Sequence, residues 1–96
     1  MRSYEIMFIV RPNMDKAEIK KTAEDFKKEV LDTKASDIKL EEMGQKELAY
    51  KVKGFNNGYY YLLTFNTENV SSIKNLDRYL SLSENVIRHL IVKVGE

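Results

Sequence analysis

The sequence predicts an α+β domain in which a four-stranded antiparallel sheet carries two helices on one face. Two observations lead to this prediction. Strand-like and helix-like segments alternate in the order strand, helix, strand, strand, helix, strand, which is the split βαβ pattern of ferredoxin-like folds. A chain of 96 residues suits one such domain, so we expect residues 1–96 to form a single domain. Right-handed crossovers then place both helices on the same side of the sheet.

The first strand and the first helix have clear periodic patterns. Apolar residues occupy both faces of segment 4–10, which predicts a central strand. Asn13 is the expected N-cap of a helix over about residues 14–31. The apolar stripe of this helix repeats at helical spacing and consists of Ile19, Ala23, Phe26 and Val30. The lysines and glutamates on its other side indicate a solvated face.

The middle of the chain predicts two neighbouring strands. A long strand is expected over residues 38–52, with an interruption near Gly44. The polar, glycine-flanked segment 54–58 is expected to be a loop, and residues 59–66 are expected to be the third strand. Lysines concentrate on the first of these strands and aromatic residues on the second, a combination that suits phosphates and bases or a protein partner.

The last part of the chain completes the predicted fold. A second helix should begin at residues 67–69, and a final strand should cover residues 86–94. His89 should point from that strand toward the helices as a half-buried residue. The expected core between sheet and helices consists of Ile6, Phe8, Phe26, Val30, Tyr61, Leu63, Leu76, Leu80 and Ile91.

The sheet face without helices should be unusually apolar. The alternation assigns to it Met7, Ile9, Tyr60, Leu62, Arg88, Leu90 and Val92. A surface of this composition usually marks a partner site. Tyr60 is the best candidate on it for an exposed stacking or docking residue.

Composition argues against catalysis and against bound cofactors. The chain has no cysteine and one histidine, so neither a thiolate site nor a histidine-rich metal site is available. The adjacent Glu41 and Glu42 would point to opposite faces of a strand and cannot act as an acid–base pair. The segment 54–58 lacks the strand–loop–helix context of a phosphate-binding loop. We therefore expect neither an enzyme nor a cofactor.

The sequence also predicts where the protein is found and how it could bind RNA. No apolar run approaches the ~20 residues of a membrane span, and the N-terminus leads directly into a strand, so a cytoplasmic protein is expected. Formal net charge is only +1, so nucleic-acid binding would require a local patch. The candidate RNA-binding residues are Arg2, Lys46, Arg88 and Lys93.

Five segments, in the same order and at the same distances, carry a resemblance to a known family. They are MRSYEI at 1–6, RPN at 11–13, GQKELAY at 44–50, GYY at 58–60 and NVIRHLIVK at 85–93. Over essentially its whole length the chain resembles the family of the sixth protein of the bacterial small ribosomal subunit.

This resemblance implies a ferredoxin-like, non-enzymatic structural constituent of the ribosome. It further implies binding to small-subunit (16S) ribosomal RNA in the platform, and a heterodimer with the eighteenth small-subunit protein. By position, Arg2, Lys46 and Arg88 would be on the RNA side. Part of the helix-free sheet face would bind the protein partner, with Tyr60, Leu62, Leu90 and Val92 as the candidate partner-binding residues.

Two positions depart from the family pattern. Many members have two basic residues after the glycine that matches Gly44, whereas this chain has Gln45 and Lys46. Many have proline after the Leu-Ala-Tyr tripeptide, whereas this chain has Lys51. The first change affects an RNA contact that the resemblance implies, and the second adds a backbone donor and a charge.

Two other classes of protein share the predicted order of elements. An RNA recognition motif also uses aromatic residues on its sheet, and Lys53-Gly54-Phe55 begins like its third-strand motif. The aromatic run here restarts only after Gly58, so the spacing differs. The second alternative is a small regulatory domain that binds a ligand or dimerises through the helix-free face.

Overall fold

The computed structural model describes residues 2–94 and contains the six predicted elements in the predicted order. They are β1 (Arg2–Val10), α1 (Lys16–Asp32), β2 (Ser36–Val52), β3 (Phe55–Thr67), α2 (Ser71–Leu82) and β4 (Val86–Val94). The strands form one antiparallel sheet in the order β2-β3-β1-β4. This confirms the ferredoxin-like fold. Met1, the first residue of the 1–6 segment, lies outside the described residues.

One face of the sheet packs against both helices and forms the core. Phe26 of α1 is 1% exposed. Its ring meets Phe8 of β1 edge-on at 5.2 Å between centroids and stacks on Tyr79 of α2 at 5.7 Å. All the predicted core residues are buried except Ile91, which is partly buried because β4 is an edge strand. We call this side of the sheet the helix face.

The second and third strands are longer than the sequence suggests, and the predicted loop over residues 54–58 is wrong. Lys53 and Gly54 alone connect the strands, with φ angles of 52° and 85°. Two consecutive positive φ values are typical of a type I′ turn, whose twist matches that of the flanking strands. The polar residues after Gly54 therefore belong to β3. The expected interruption near Gly44 is present as a register shift, and Gly44 has a φ of 93°.

The start of α1 also differs from the expectation. Asp15, rather than Asn13, occupies the N-cap position. The Asn13 side-chain oxygen instead accepts a hydrogen bond from Arg11 Nη1 at 3.3 Å. Arg11 Nε also donates to Asn85 Oδ1 at 3.1 Å, and this contact ties the end of β1 to the start of β4. Because the helix begins at Lys16, Asn13 lies too far upstream to be its cap, and Asp15 makes no side-chain capping hydrogen bond.

Two side-chain contacts on the helix face join neighbouring elements: one joins β4 to α2, and the other joins β3 to β2. The half-buried His89 points toward α2, as predicted, and its Nε2 lies 2.6 Å from Asp77 Oδ1. Tyr61 donates its hydroxyl to Glu42 Oε2 at 3.2 Å. Burial, with a further contribution from the Glu42 carboxylate, raises the pKa of Tyr61 to about 12. This hydroxyl therefore remains a hydrogen-bond donor throughout the physiological pH range and links β3 to the edge strand β2.

Replacing Phe26 with alanine should destabilise the protein by about 3–5 kcal/mol, because it leaves a cavity where both helices and β1 meet. Leu31→Ala is the matched control, since Leu31 lies on the same helix but is 58% exposed. Denaturant unfolding of both variants measures the difference. A cost for Phe26→Ala as small as that of the control would contradict the described packing of α1.

Candidate functional site

The face of the sheet opposite the helices is built from three cross-strand rows. We call it the open face. The first row contains Gly44, Tyr60, Ile9 and Arg88; the second contains Glu41, Leu62, Met7 and Leu90; the third contains Lys39, Thr64, Glu5 and Val92. Every residue that the alternation assigned to this face is present on it.

Exposure varies strongly along the open face. Leu90 and Val92 on the edge strand are 55% and 42% exposed, whereas Tyr60 and Leu62 are half-buried. Ile9 is buried at 4%, although it lies on the face without helices. The Cγ2 methyl group of Ile9 lies against Gly58, whose missing side chain leaves space for it. The open face is therefore closely packed at Ile9, half-buried along the rest of the two central strands, and exposed on the edge strand β4.

A groove lies along the first row, between this row and the β2–β3 hairpin. It forms because the hairpin extends beyond β1 and bends across the sheet. Val10, the last residue of β1, pairs with Tyr59, so β3 continues for several residues beyond that point. The groove has a volume of about 300 Å³. Its wall from the hairpin includes Leu48, Tyr50 and Val52, and its floor and far side include Met7, Ile9, Tyr60, Arg88 and Leu90.

Two cations lie beside tyrosine rings at this groove. Arg88 Nη1 donates a hydrogen bond to Tyr50 Oη at 2.8 Å, and its guanidinium lies 5.7 Å from the Tyr50 ring centroid. This hydrogen bond raises the pKa of Arg88 above its already high ordinary value. Lys46 Nζ lies 5.8 Å from the centroid of Tyr60. Both distances are those of a cation–π contact. Arg88 lines the groove, and Lys46 lies next to it, opposite Gly58 on the same face.

The other two candidate cations belong to a different part of the molecule. Arg2 pairs with Thr67, and Lys93 pairs with Tyr4, at the end of β1 farthest from the groove. Their register is that of the helix face, and both side chains are exposed. The structure therefore divides the four predicted RNA-binding residues into two pairs.

The departure at position 45 has a structural explanation. Gln45 pairs with Tyr59 in the register of the helix face, and its side chain donates to Asn57 Oδ1 at 2.9 Å. Lys46 pairs with Gly58 and shares the open face with Arg88. A neutral residue at position 45 thus leaves the charge of the groove unchanged.

Acidic residues accompany the exposed apolar part of the open face. Glu41 lies opposite Leu62, and Glu5 lies opposite Val92, with Lys39 at the β2 end of the third row. The charge of the open face thus changes along β1: cations lie near the first row, the second row carries the Glu41 carboxylate, and the third row carries both Glu5 and Lys39. This gradient offers different surfaces to an anionic and to a basic partner.

Tyr50 and Leu48 were not among the predicted site residues. The sequence places them on a solvated strand, and only the bending of the hairpin brings them to Arg88, which is distant in the chain. The available signal was the Leu-Ala-Tyr tripeptide of the family resemblance, whose tyrosine is 62% exposed on an edge strand. Within residues 2–94 the structure has no cluster of potential metal ligands and no helix long and apolar enough to span a membrane.

Comparisons with known proteins agree with this architecture. The sequence model of the family described as Ribosomal protein S6 matches residues 3–93. The chain is 38% identical over 93 residues to small ribosomal subunit protein bS6 of Shouchella clausii, covering 97% of each chain. It is 40% identical over 92 residues to the bS6 protein of Clostridioides difficile, covering 96% of this chain and 98% of the relative.

Solved structures of similar fold include a member of the same family. The crystal structure of 30S ribosomal protein S6 from Thermotoga maritima has a TM-score of 0.90 at 30% identity, covering 97% of this chain and 87% of that one. The GlnK–ATP complex of B. subtilis has a TM-score of 0.55 at 13% identity, covering 98% of this chain and 84% of that one. The second likeness concerns the fold alone.

Gly58→Ala should destabilise the protein by about 1–3 kcal/mol, because an added methyl group would overlap Ile9 Cγ2 and lie 3.0 Å from the Val10 carbonyl oxygen. The control is the same substitution in an Ile9→Ala background, where the overlapping methyl group is gone. Denaturant unfolding of the single and double variants gives the coupling. Equal costs in both backgrounds would show that Gly58 and Ile9 are not in tight contact.

Proposed function

The chain belongs to the ribosomal protein S6 family, and we propose that it binds 16S ribosomal RNA in the platform of the small subunit as a heterodimer with the eighteenth small-subunit protein. Membership makes it a structural protein of the small ribosomal subunit in the cytoplasm, and not an enzyme. The RNA and the protein partner are the parts that we propose.

The observation that carries the proposal is the charge gradient along the open face. Lys46 and Arg88 stand at the groove, where phosphates would be attracted. Glu5 and Glu41 stand among exposed apolar residues, where RNA would be repelled and a basic protein would be attracted. One sheet face can therefore serve both partners at different rows.

The RNA side of the proposal rests on the form of the two cations at the groove. Arginine offers a planar fork that can donate two hydrogen bonds to one phosphate, and lysine adds a point charge. The adjacent Tyr50 and Tyr60 present aromatic faces on which an unpaired base could stack. Arg2 and Lys93 would make a second phosphate contact at the far end of β1.

The protein side of the proposal rests on exposed apolar area. Leu90 and Val92 are exposed on β4, and Leu62 and Tyr60 continue the apolar surface toward β3. Burial of such area contributes about 25 cal/mol per Å² before the costs of association. RNA phosphates would gain little free energy from contact with this apolar surface, whereas an apolar protein surface would gain more. A protein partner is therefore the better match for the second and third rows.

Removing the charge of Arg2, Lys46, Arg88 or Lys93 should weaken RNA binding by the heterodimer and reduce its salt dependence. The reduction should be about 0.7–0.9 log units of slope for each lost phosphate contact. Titrations at several salt concentrations measure it. Lys20→Gln and Lys28→Gln on the exposed side of α1 are the controls. Equal effects at both sets would indicate diffuse attraction and would contradict a defined RNA site.

The isolated protein should bind 16S RNA poorly and the preformed heterodimer should bind it much more tightly. Leu90→Ser should weaken heterodimer formation, since it places a hydroxyl where an apolar contact is proposed. Leu82→Ser on α2 is the matched control, because Leu82 is equally apolar and 71% exposed away from the open face. RNA binding by the isolated chain as tight as that of the pair would favour the RNA recognition motif alternative.

A further inference from the structure

The contact between Tyr50 and Arg88 joins two strands that are not neighbours in the sheet. Tyr50 lies on β2 and Arg88 on β4, which are the two opposite edges of the sheet. The hydrogen bond of 2.8 Å and the ring contact of 5.7 Å act on the same guanidinium. Both residues are exposed, so the contact is made at the surface of the groove and remains accessible to a ligand.

We infer that Tyr50 is a positioning residue that holds the Arg88 guanidinium at the mouth of the groove for an RNA phosphate. This inference rests on the proposed function. Tyr50 engages Nη1 of Arg88, so Nε and Nη2 of the same guanidinium stay accessible as a pair of donors. Two such donors are what a bidentate phosphate contact requires. Tyr50 would thus fix the orientation of Arg88 without using the donors that the ligand needs.

The physical benefit is a smaller loss of side-chain freedom on binding. A free arginine side chain has many rotamers, and ordering such a side chain at an interface weakens binding. Tyr50 has few rotamers and lies on a strand, so it restricts Arg88 before the RNA arrives. The hydroxyl fixes the orientation of the guanidinium, and the nearby ring, whose centroid is 5.7 Å away, adds a weaker electrostatic attraction.

The test is a double-mutant cycle with Tyr50→Phe and Arg88→Gln. The preformed heterodimer with the eighteenth small-subunit protein is titrated with 16S ribosomal RNA at several salt concentrations. Tyr50→Phe keeps the ring and removes the hydrogen bond. We expect it to weaken RNA binding by about two- to tenfold, the range of one immobilised side chain. The salt slope should not change, because the phosphate contact itself is retained.

Arg88→Gln should weaken binding and lower the slope by about 0.7–0.9 log units. In the Arg88→Gln background, Tyr50→Phe should have no further effect, because the group that it positions is gone. Tyr79→Phe is the control, since it removes the same hydroxyl from α2 on the other side of the sheet. Thermal unfolding of each variant checks that the fold is retained.

Three results would overturn the inference, and they differ in what they say about the proposed function. Equal losses from Tyr50→Phe in both backgrounds would mean that Tyr50 contacts a partner directly. No loss from Tyr50→Phe, with a loss from Arg88→Gln, would mean that Arg88 binds RNA without Tyr50. No loss from Arg88→Gln would remove the Arg88 contact from the proposed function as well.

Discussion

The packing of two helices against one face of β1 and β3 is the constraint on which the other features depend. Phe8, Phe26 and Tyr79 form a continuous aromatic contact through this layer, and the buried residues of β1 alternate as far as Phe8. Because a strand has two faces, filling one with helices leaves the other uncovered. The open face is therefore a necessary result of the fold, and its composition is the part that relates to function.

The open face combines two surfaces that would conflict if they were mixed. Apolar residues beside carboxylates suit a basic protein, and cations beside aromatic rings suit RNA. Their separation along β1 allows both to be present on a sheet only four strands wide. The net charge of +1 does not show this arrangement, because it is the sum of all 16 basic and 15 acidic residues of the chain. Local placement of charge, and not its total, makes RNA binding plausible for this protein.

The β2–β3 hairpin converts the first row of the open face into a groove. Its two-residue turn pairs Val52 with Phe55, regular pairing resumes at Glu47 and Asn57, and residues 48–51 form an irregular segment of β2 between these two pairs. The hairpin reaches beyond β1, because β3 extends past Tyr59, the partner of Val10. Gly58 allows β3 to approach Ile9 and Val10 closely. The bend of the hairpin then brings Tyr50 to Arg88 across the sheet. A local choice of turn residues and one close approach between strands thus determine the geometry of a long-range contact.

The sequence by itself determined the fold class, the order of the elements and the residues on each face of the sheet. These follow from the periods of 2.0 and 3.6 residues, which are local properties of the chain. The extent of the hairpin, the cap of α1 and the burial of Ile9 were decided by tertiary structure. Turn geometry overrode the polar composition after Gly54, α1 begins only at Lys16, and Gly58 allowed close packing. The pairing of Tyr50 with Arg88 also required the folded chain, because 38 positions separate the two residues and no periodic pattern connects them.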